Sequence, residues 1–480
     1  MATVAGTRLT AVRERDLAHS AELRKELGIR DLLLAQILVV VVPEFFGTAV
    51  KAGPGHVFLW LVAFLFFFIP QAFVVGHLNR LMPLEGGLYE WARIAFSDWI
   101  GFLVAWNLWL TCTVQVSQTA LITTTYITYA AGPKVEWIAS NQKILIATSL
   151  VSIAGMMLVA RLGLRLGKWI SNAGSIFTVL VIAVLAALPF ALLWRGTLGE
   201  YHPARLVLPP LTLFSLSVFA KMTFGALSGF DTVTIFAGES RSPARNIARA
   251  TLMAIPIIAL LYITGTSSIL TFVSPENVDI IGPIPQALGI GFGSFGAAAA
   301  IVAPVVILLL LTNYLCTYVL LFSANARLPM VAGWDSMLPN WFTKLHVRYK
   351  TPVNSILFMG GVAIAASTAA LLGVGNQEAF AMLQIWTWTF YGLAYLVMFL
   401  IPLVSSKELG LRPGLWLRLA AGSGFIVTLL FVVLCVSPII PVANVTAYTL
   451  KTVFVVVGAN AFALVLYFLS SQKRPSGHLS

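Results

Sequence analysis

Twelve stretches of about twenty mainly apolar residues dominate the sequence, at roughly 31–50, 57–79, 99–130, 143–160, 169–194, 211–237, 247–273, 296–325, 353–373, 379–404, 416–438 and 447–470. Each is long enough to cross the hydrocarbon core of a bilayer as a helix, and they are called spans 1 to 12 in chain order. The connections are short and leave no stretch for a separate soluble domain. With 59% hydrophobic residues, 10% charged residues and a mean hydropathy of +0.91, the chain lacks the polar surface that a water-facing globule needs. A soluble enzyme is therefore excluded. A net charge of +12 would suit nucleic acid only on the basic face of a soluble domain, so no nucleic-acid partner is expected. The expected partners are the lipid bilayer and a small molecule, with the chain a monomer or homodimer.

The excess of positive charge is a topology signal. Basic residues concentrate in cytoplasmic loops. If the N-terminus is cytoplasmic, 23 of the 30 Lys and Arg fall on that side, against six (Lys51, Lys134, Lys143, Arg195, Arg205, Lys451) on the other. Both termini, 1–30 and 471–480, are expected in the cytoplasm of a multi-pass protein of the plasma (inner) membrane. The charged first thirty residues precede the first apolar run, the wrong order for a cleaved signal peptide. Cys112, Cys316 and Cys435 are far apart within apolar runs, without metal-ligand spacing, so they read as small hydrophobes and no metal is expected.

Ionisable groups inside spans are expensive and mark functional positions. Three lie well inside apolar runs, Glu44, Lys221 and Asp231, and all fall on spans 1 and 6. The same two spans carry the strongest interruptions. Span 1 reads VVVVPEFFGTAV, in which Pro43 removes a backbone donor and Gly47 weakens the helix. Span 6 reads FAKMTFGALSGFDTV, with Gly225, Ser228 and Gly229 just before Asp231. Broken helices at corresponding positions of two halves point to a transporter site at the midplane. A shift of 182 residues from Gly47 to Gly229 fits an inverted repeat of spans 1–5 (31–194) onto spans 6–10 (211–404), leaving spans 11 and 12 (416–470). Pro70 in span 2 and Pro304 in span 8 read as simple kinks.

PLEGGLYEWARIAF (83–96) with GFLVAWNLWL (101–110), GFDTVTIFAGESRSPARNIARA (229–250), and ARLPMVAGWDSMLPNWF (326–342) with TPVNSI (351–356) resemble, in order, motifs of the amino acid-polyamine-organocation superfamily. The resemblance implies an all-α polytopic fold of twelve transmembrane helices, a leucine-transporter-like five-plus-five inverted repeat with broken helices 1 and 6 and two further C-terminal helices. It implies secondary transport of an amino acid or related amine, by symport or antiport. It further implies that the unwound backbone of span 1 receives a substrate carboxylate, while span 6 carbonyls and an aromatic gate receive the amine. Gly229, Phe230 and Asp231 match the superfamily's span 6 step. In place of its glycine-rich span 1 break stand Val41, Val42, Pro43, Glu44, Phe45 and Phe46. An ionised Glu44 would repel a carboxylate, so either Glu44 is protonated when substrate binds or the substrate's charged end is an amine. Span 5 has no lysine beyond Lys168 to stand in for sodium.

The candidate substrate-binding residues are Val42, Pro43, Glu44, Phe45, Phe46, Gly47, Phe224, Ser228, Gly229 and Phe230. The candidate coupling and gating residues are Asp231, Glu44, Lys221, Trp106, Trp386 and Tyr391. Buried carboxyls can carry a proton, so H+ is preferred over Na+ as the coupling ion, with no cofactor. Lys221, about 15 Å from Asp231 along a continuous helix, is expected to snorkel to the outer vestibule or to pair with Glu44. Phe230 is the favoured amine gate, with Trp388 beside Trp386 and Tyr391 on span 10. Thr111, Gln115 and Gln118 on span 3 and Asn313, Thr317 and Ser323 on span 8 either line the site or bond between helices. Glu85, Glu90, Arg93, Glu239, Arg241 and Arg245 are either cytoplasmic gate ion pairs or a solvated loop face.

Two other function classes fit less well. A membrane-embedded lipid-linked transferase would cluster acids or histidines at one membrane face, but the six histidines are scattered. A channel would take its pore motif from oligomeric symmetry. A polyamine or organic cation transporter of the same fold is the nearest alternative.

Overall fold

The computed structural model describes residues 28–82, 87–162, 167–203, 205–232, 243–296, 299–329, 338–346, 351–404 and 413–471. Among them there is no strand, and eleven helices are long and apolar enough to cross a membrane. The missing twelfth is span 1, which the structure divides into Ile29–Val40 and Phe45–Val50. Large apolar side chains such as Phe454 and Val151 stand 78% and 73% exposed while Gln71 and Thr387 are fully buried. This arrangement, apolar side chains outside and polar ones within, is what a hydrocarbon solvent selects.

Two further departures from regular helix have local causes. Span 2 runs from Gly53 to Leu81 with a π turn over Phe64–Phe68. Pro70 has no N–H to give to the carbonyl of Phe66, and the Ser423 hydroxyl of span 11 supplies that bond at 2.5 Å. Span 3 divides into Asp98–Val116 and Thr119–Ala131. At the division the Ser117 hydroxyl bonds to the carbonyls of Thr113 and Ala363, at 3.1 and 2.9 Å.

The chain forms two compact units. The first comprises Met1–Val104, Asn172–Ile307 and Gly392–Ile439, and the second Ala105–Ser171, Leu308–Tyr391 and Ile440–Ser480. Both breaks and all three intramembrane ionisable residues belong to the first unit. Its centre packs span 1 on span 7 (Pro243–Phe272) and span 6 (Leu213–Leu227) on span 11 (Leu415–Leu434). A short helix, Pro283–Gly293, lies in the connection after span 7, and the backbone of Ile280 just before it lies against Gly47. Near it the Lys51 ammonium is 3.4 Å from the Glu276 carbonyl, and burial lowers its pKa while Glu276 opposes that shift. The connection between spans 7 and 8 carried no helix in the sequence reading, because the eleven residues of this helix are too few to show a spanning run.

Candidate functional site

Span 1 stops because Pro43 cannot donate. The last turn closes with Val41 N–H on the Ile37 carbonyl at 2.8 Å, and the helix restarts with Phe45, Phe46 and Gly47 N–H on the carbonyls of Val42, Pro43 and Glu44, at 3.1–3.3 Å. The donors that the resemblance assigns to a substrate carboxylate are thus engaged within their own turn. Glu44, 4% exposed, sits at the N-cap of the second half with helical backbone angles, and its side chain makes no capping bond. Gly47 lies inside that second half-helix rather than in the break.

Span 6 ends after Leu227. The Ser228 hydroxyl and N–H both turn back on the Phe224 carbonyl, at 2.6 and 3.2 Å. Gly229 then takes φ +125°, where a Cβ would also stand 2.9 Å from Val39 of span 1, so only glycine fits both the turn and the approach. Four residues earlier, a Cβ on Gly225 would fall 2.0 Å from the ring of Phe45. The two broken helices touch through these glycines.

Two tyrosines from other spans join the breaks. The Tyr262 hydroxyl of span 7 accepts from Val42 N–H at 3.0 Å and shares its single proton between the carbonyls of Val40 and Ala226, at 2.8 and 3.2 Å. One hydroxyl therefore ties the span 1 break to the end of span 6. The Tyr395 hydroxyl, from the part of span 10 (Asn376–Val404) that lies in the first unit, donates to Asp231 at 2.5 Å, accepts from Gly229 N–H at 2.9 Å and lies 2.7 Å from the Gln71 amide of span 2. Asp231, Tyr395 and Gln71 are 6%, 0% and 0% exposed.

The aromatic candidates beside the breaks are packed rather than open. Phe230 stacks on Phe68 at 4.5 Å, Phe224 on Phe431 at 4.6 Å, and Phe46 tilts on Tyr262 at 5.0 Å. In this conformation they seal the breaks. Lys221 departs from expectation. It is buried, 3% exposed, and its ammonium donates to the carbonyl of Ser437. That carbonyl lies at the end of span 11, so the ammonium is held by a backbone partner within the protein rather than standing in a water-filled vestibule.

Trp106, Trp386 and Tyr391 belong to the second unit. There Trp106 donates to the Ala459 carbonyl at 3.1 Å, Trp386 to Thr452 at 3.4 Å, and Tyr391 packs 5.9 Å from Trp388. Thr111 bonds back to the Asn107 carbonyl at 2.8 Å, while Gln118 donates to Thr387 at 3.3 Å. These contacts hold spans 3, 10 and 12 together within that unit. Of the charged loop residues, Arg93 bonds Asp98 at 3.0 Å and lies 3.7 Å from Glu90. Burial works against its charge, but Tyr89, Glu90 and Asp98 raise its pKa. Glu85, Glu239 and Arg241, and the side chain of Arg245, lie outside the described residues.

The sequence reading missed Gln71, Tyr262 and Tyr395. The available signal was weak: an amide and two mid-span phenols, each ordinary in a transmembrane helix taken alone.

A family model described as amino acid permease matches residues 32–462. Among curated proteins, an uncharacterized transporter of Legionella pneumophila is 24% identical over 78% of this chain and 80% of its own length. The probable agmatine/putrescine antiporter AguD of Lactococcus lactis is 23% identical over 79% and 78%, and the branched-chain amino acid permease BcaP of Bacillus subtilis 22% identical over 76% and 80%. Among solved structures, MhsT in complex with L-phenylalanine aligns with a TM-score of 0.57 at 15% identity, covering 84% of this chain and 97% of that one. That likeness carries the fold: a leucine-transporter-like helical bundle with helices 1 and 6 broken.

Proposed function

Because this multi-pass membrane chain belongs to the amino acid permease family, we propose that it moves an amino acid or related amine by alternating access, coupled to protons in symport or exchange. The observation that carries this reading is the Tyr262 hydroxyl, bonded at once to Val40, Val42 and Ala226. Two interrupted helices are held against each other by a contact that can be broken and remade, as alternating access requires. The carbonyls at the breaks, each with a second lone pair able to accept a further bond, make an acceptor-rich, acidic site with Glu44 and Asp231 beside them. That chemistry receives an ammonium group.

Proton coupling is assigned to Asp231, with Glu44 as second acid. Two observations favour the cationic alternative, a polyamine or organic cation, over a zwitterion. Glu44 is buried at the span 1 break, and the N–H groups that would hold a carboxylate are occupied. The agmatine and putrescine named for the lactococcal relative fit the same chemistry. We place the protein in the plasma membrane with both termini cytoplasmic, as a monomer or homodimer.

The test is uptake of labelled putrescine, agmatine and leucine into proteoliposomes, with and without a pH or sodium gradient. Accumulation or exchange driven by the pH gradient is expected. No uptake or exchange of any of the three would overturn the reading, and dependence on sodium alone would overturn the proton assignment.

A further inference from the structure

Two sets of hydrogen bonds fit the cluster of Asp231, Tyr395, Gln71 and the Leu227 carbonyl, and they differ by one proton. A phenol has one proton to give, and an amide can turn either its NH2 or its oxygen to a neighbour. The amide of Gln71 has one terminal atom 2.7 Å from the Tyr395 oxygen and the other 2.8 Å from the Leu227 carbonyl. If Asp231 is ionised, Tyr395 must donate to it across 2.5 Å. Gln71 must then give its NH2 to Tyr395, which turns its own oxygen toward the Leu227 oxygen. Two buried carbonyl oxygens at that distance repel unless they share a donor. If Asp231 is protonated, it donates to Tyr395, and Tyr395 donates to the Gln71 oxygen, which also lies 3.3 Å from Gly229 N–H. The NH2 of Gln71 then falls on the Leu227 carbonyl, and the amide is satisfied at both ends.

We propose that Gln71 and Tyr395 form a proton-operated selector, in which loss of the Asp231 proton turns the Gln71 amide and converts the Leu227 carbonyl and Gln71 oxygen into a subsite for a substrate ammonium. The inference rests on the transporter reading and adds its sign. Proton and ammonium exclude one another at this cluster, so binding a cationic amine expels a proton: the acid O–H of Asp231 breaks, the proton leaves to solvent, and the ammonium replaces its charge. This is the sign of exchange, not symport. Among the described residues, the other titratable or charged groups on elements packed around Asp231 include Tyr262 and Arg249 on span 7, Arg30, Asp31 and Glu44 on span 1, Lys221 earlier on span 6, and Glu378 and Tyr391 on span 10. His56, His77 and Arg80 lie toward the ends of span 2, and Arg418 toward the start of span 11. Tyr395 is bonded both to Asp231 and to the amide, which makes it the positioning residue.

The experiment is calorimetric binding of putrescine to the purified full-length protein in two buffers of different ionisation heat. About one proton released per putrescine bound is expected from linkage. Tyr395→Phe uncouples the amide from the acid, so putrescine should still bind while proton release falls toward zero. Asp231→Asn mimics the protonated acid and should bind weakly, with affinity independent of pH. A purely structural Tyr395 would instead lower affinity and leave proton release unchanged, which overturns the proposal. So would zero release or proton uptake by the wild type. Infrared difference spectra of the wild type alone provide a second measurement, because putrescine should remove a protonated-carboxyl band, and an unchanged band also overturns it. If putrescine, agmatine and leucine neither bind nor enter proteoliposomes, the transporter reading falls and this inference with it. Uptake without proton release refutes the inference alone.

Discussion

Removing one oxygen atom should loosen both broken helices together. In Tyr262→Phe the ring remains, stacked 4.6 Å from Trp60 and 5.0 Å from Phe46, so packing is preserved. What is lost is the hydroxyl that serves Val42 N–H and the carbonyls of Val40 and Ala226. Hydrogen bonds between membrane helices average about 0.6 kcal/mol each, and a buried backbone group deprived of its partner costs about 1–3 kcal/mol. Val40 O keeps its 3.0 Å bond from Val42 N–H, which limits the damage at that pair. Local opening of the breaks should therefore become easier by about 1–3 kcal/mol, a gain of roughly 5- to 150-fold in the open population, since each 1.4 kcal/mol is tenfold. Amide hydrogen exchange followed by mass spectrometry reads this directly. Peptides covering 37–47 and 224–232 should exchange faster by that factor, while peptides of the second unit, such as 142–162, remain unchanged. Equal exchange in mutant and wild type at both breaks would refute the idea that Tyr262 holds them; uniform acceleration everywhere would mean global destabilisation instead.

Other perturbations separate the remaining roles. Gly225→Ala drives a Cβ to within 2.0 Å of the Phe45 ring and should cost about 1–3 kcal/mol by overpacking. Adding Phe45→Leu should recover most of the loss in a thermal melt, and no recovery would show that the strain lies elsewhere. Glu44→Gln should shift competition for uptake from putrescine toward leucine, whereas an identical substrate profile would make Glu44 structural. Arg93→Gln, which removes a partly exposed cation beside Glu90 and Asp98, should cost about 1 kcal/mol or less. Its effect should shrink in 1 M salt because such pairs are screened, and a salt-independent loss would argue against an ion-pair role.

The sequence and the structure part company at particular residues. The spans were legible because burial in hydrocarbon imposes a length on every helix, and the span 1 break because a proline acts on the bond four residues before it. Gly229 was legible for the same local reason. The partner of Lys221 was not, since it depends on which carbonyl the fold brings near, here that of Ser437, 216 residues away. Trp106 and Trp386 looked like gating rings from their chemistry alone, but in the second unit they bond span 12 at Ala459 and Thr452.

By itself, then, the order of residues determined where the apolar spans run, that spans 1 and 6 are interrupted and where the intramembrane acids lie, because hydropathy, proline and buried charge act over one or two turns. Tertiary structure alone decided what meets those interruptions. Tyr262 reaches Val40 across 222 residues, Tyr395 reaches Asp231 across 164, and Gln71 reaches Tyr395 across 324. No local pattern marks an amide or a phenol for such a contact, since its partner is chosen by the packing of distant helices, where an unsatisfied polar group in a dry interior costs more than any local preference can offset.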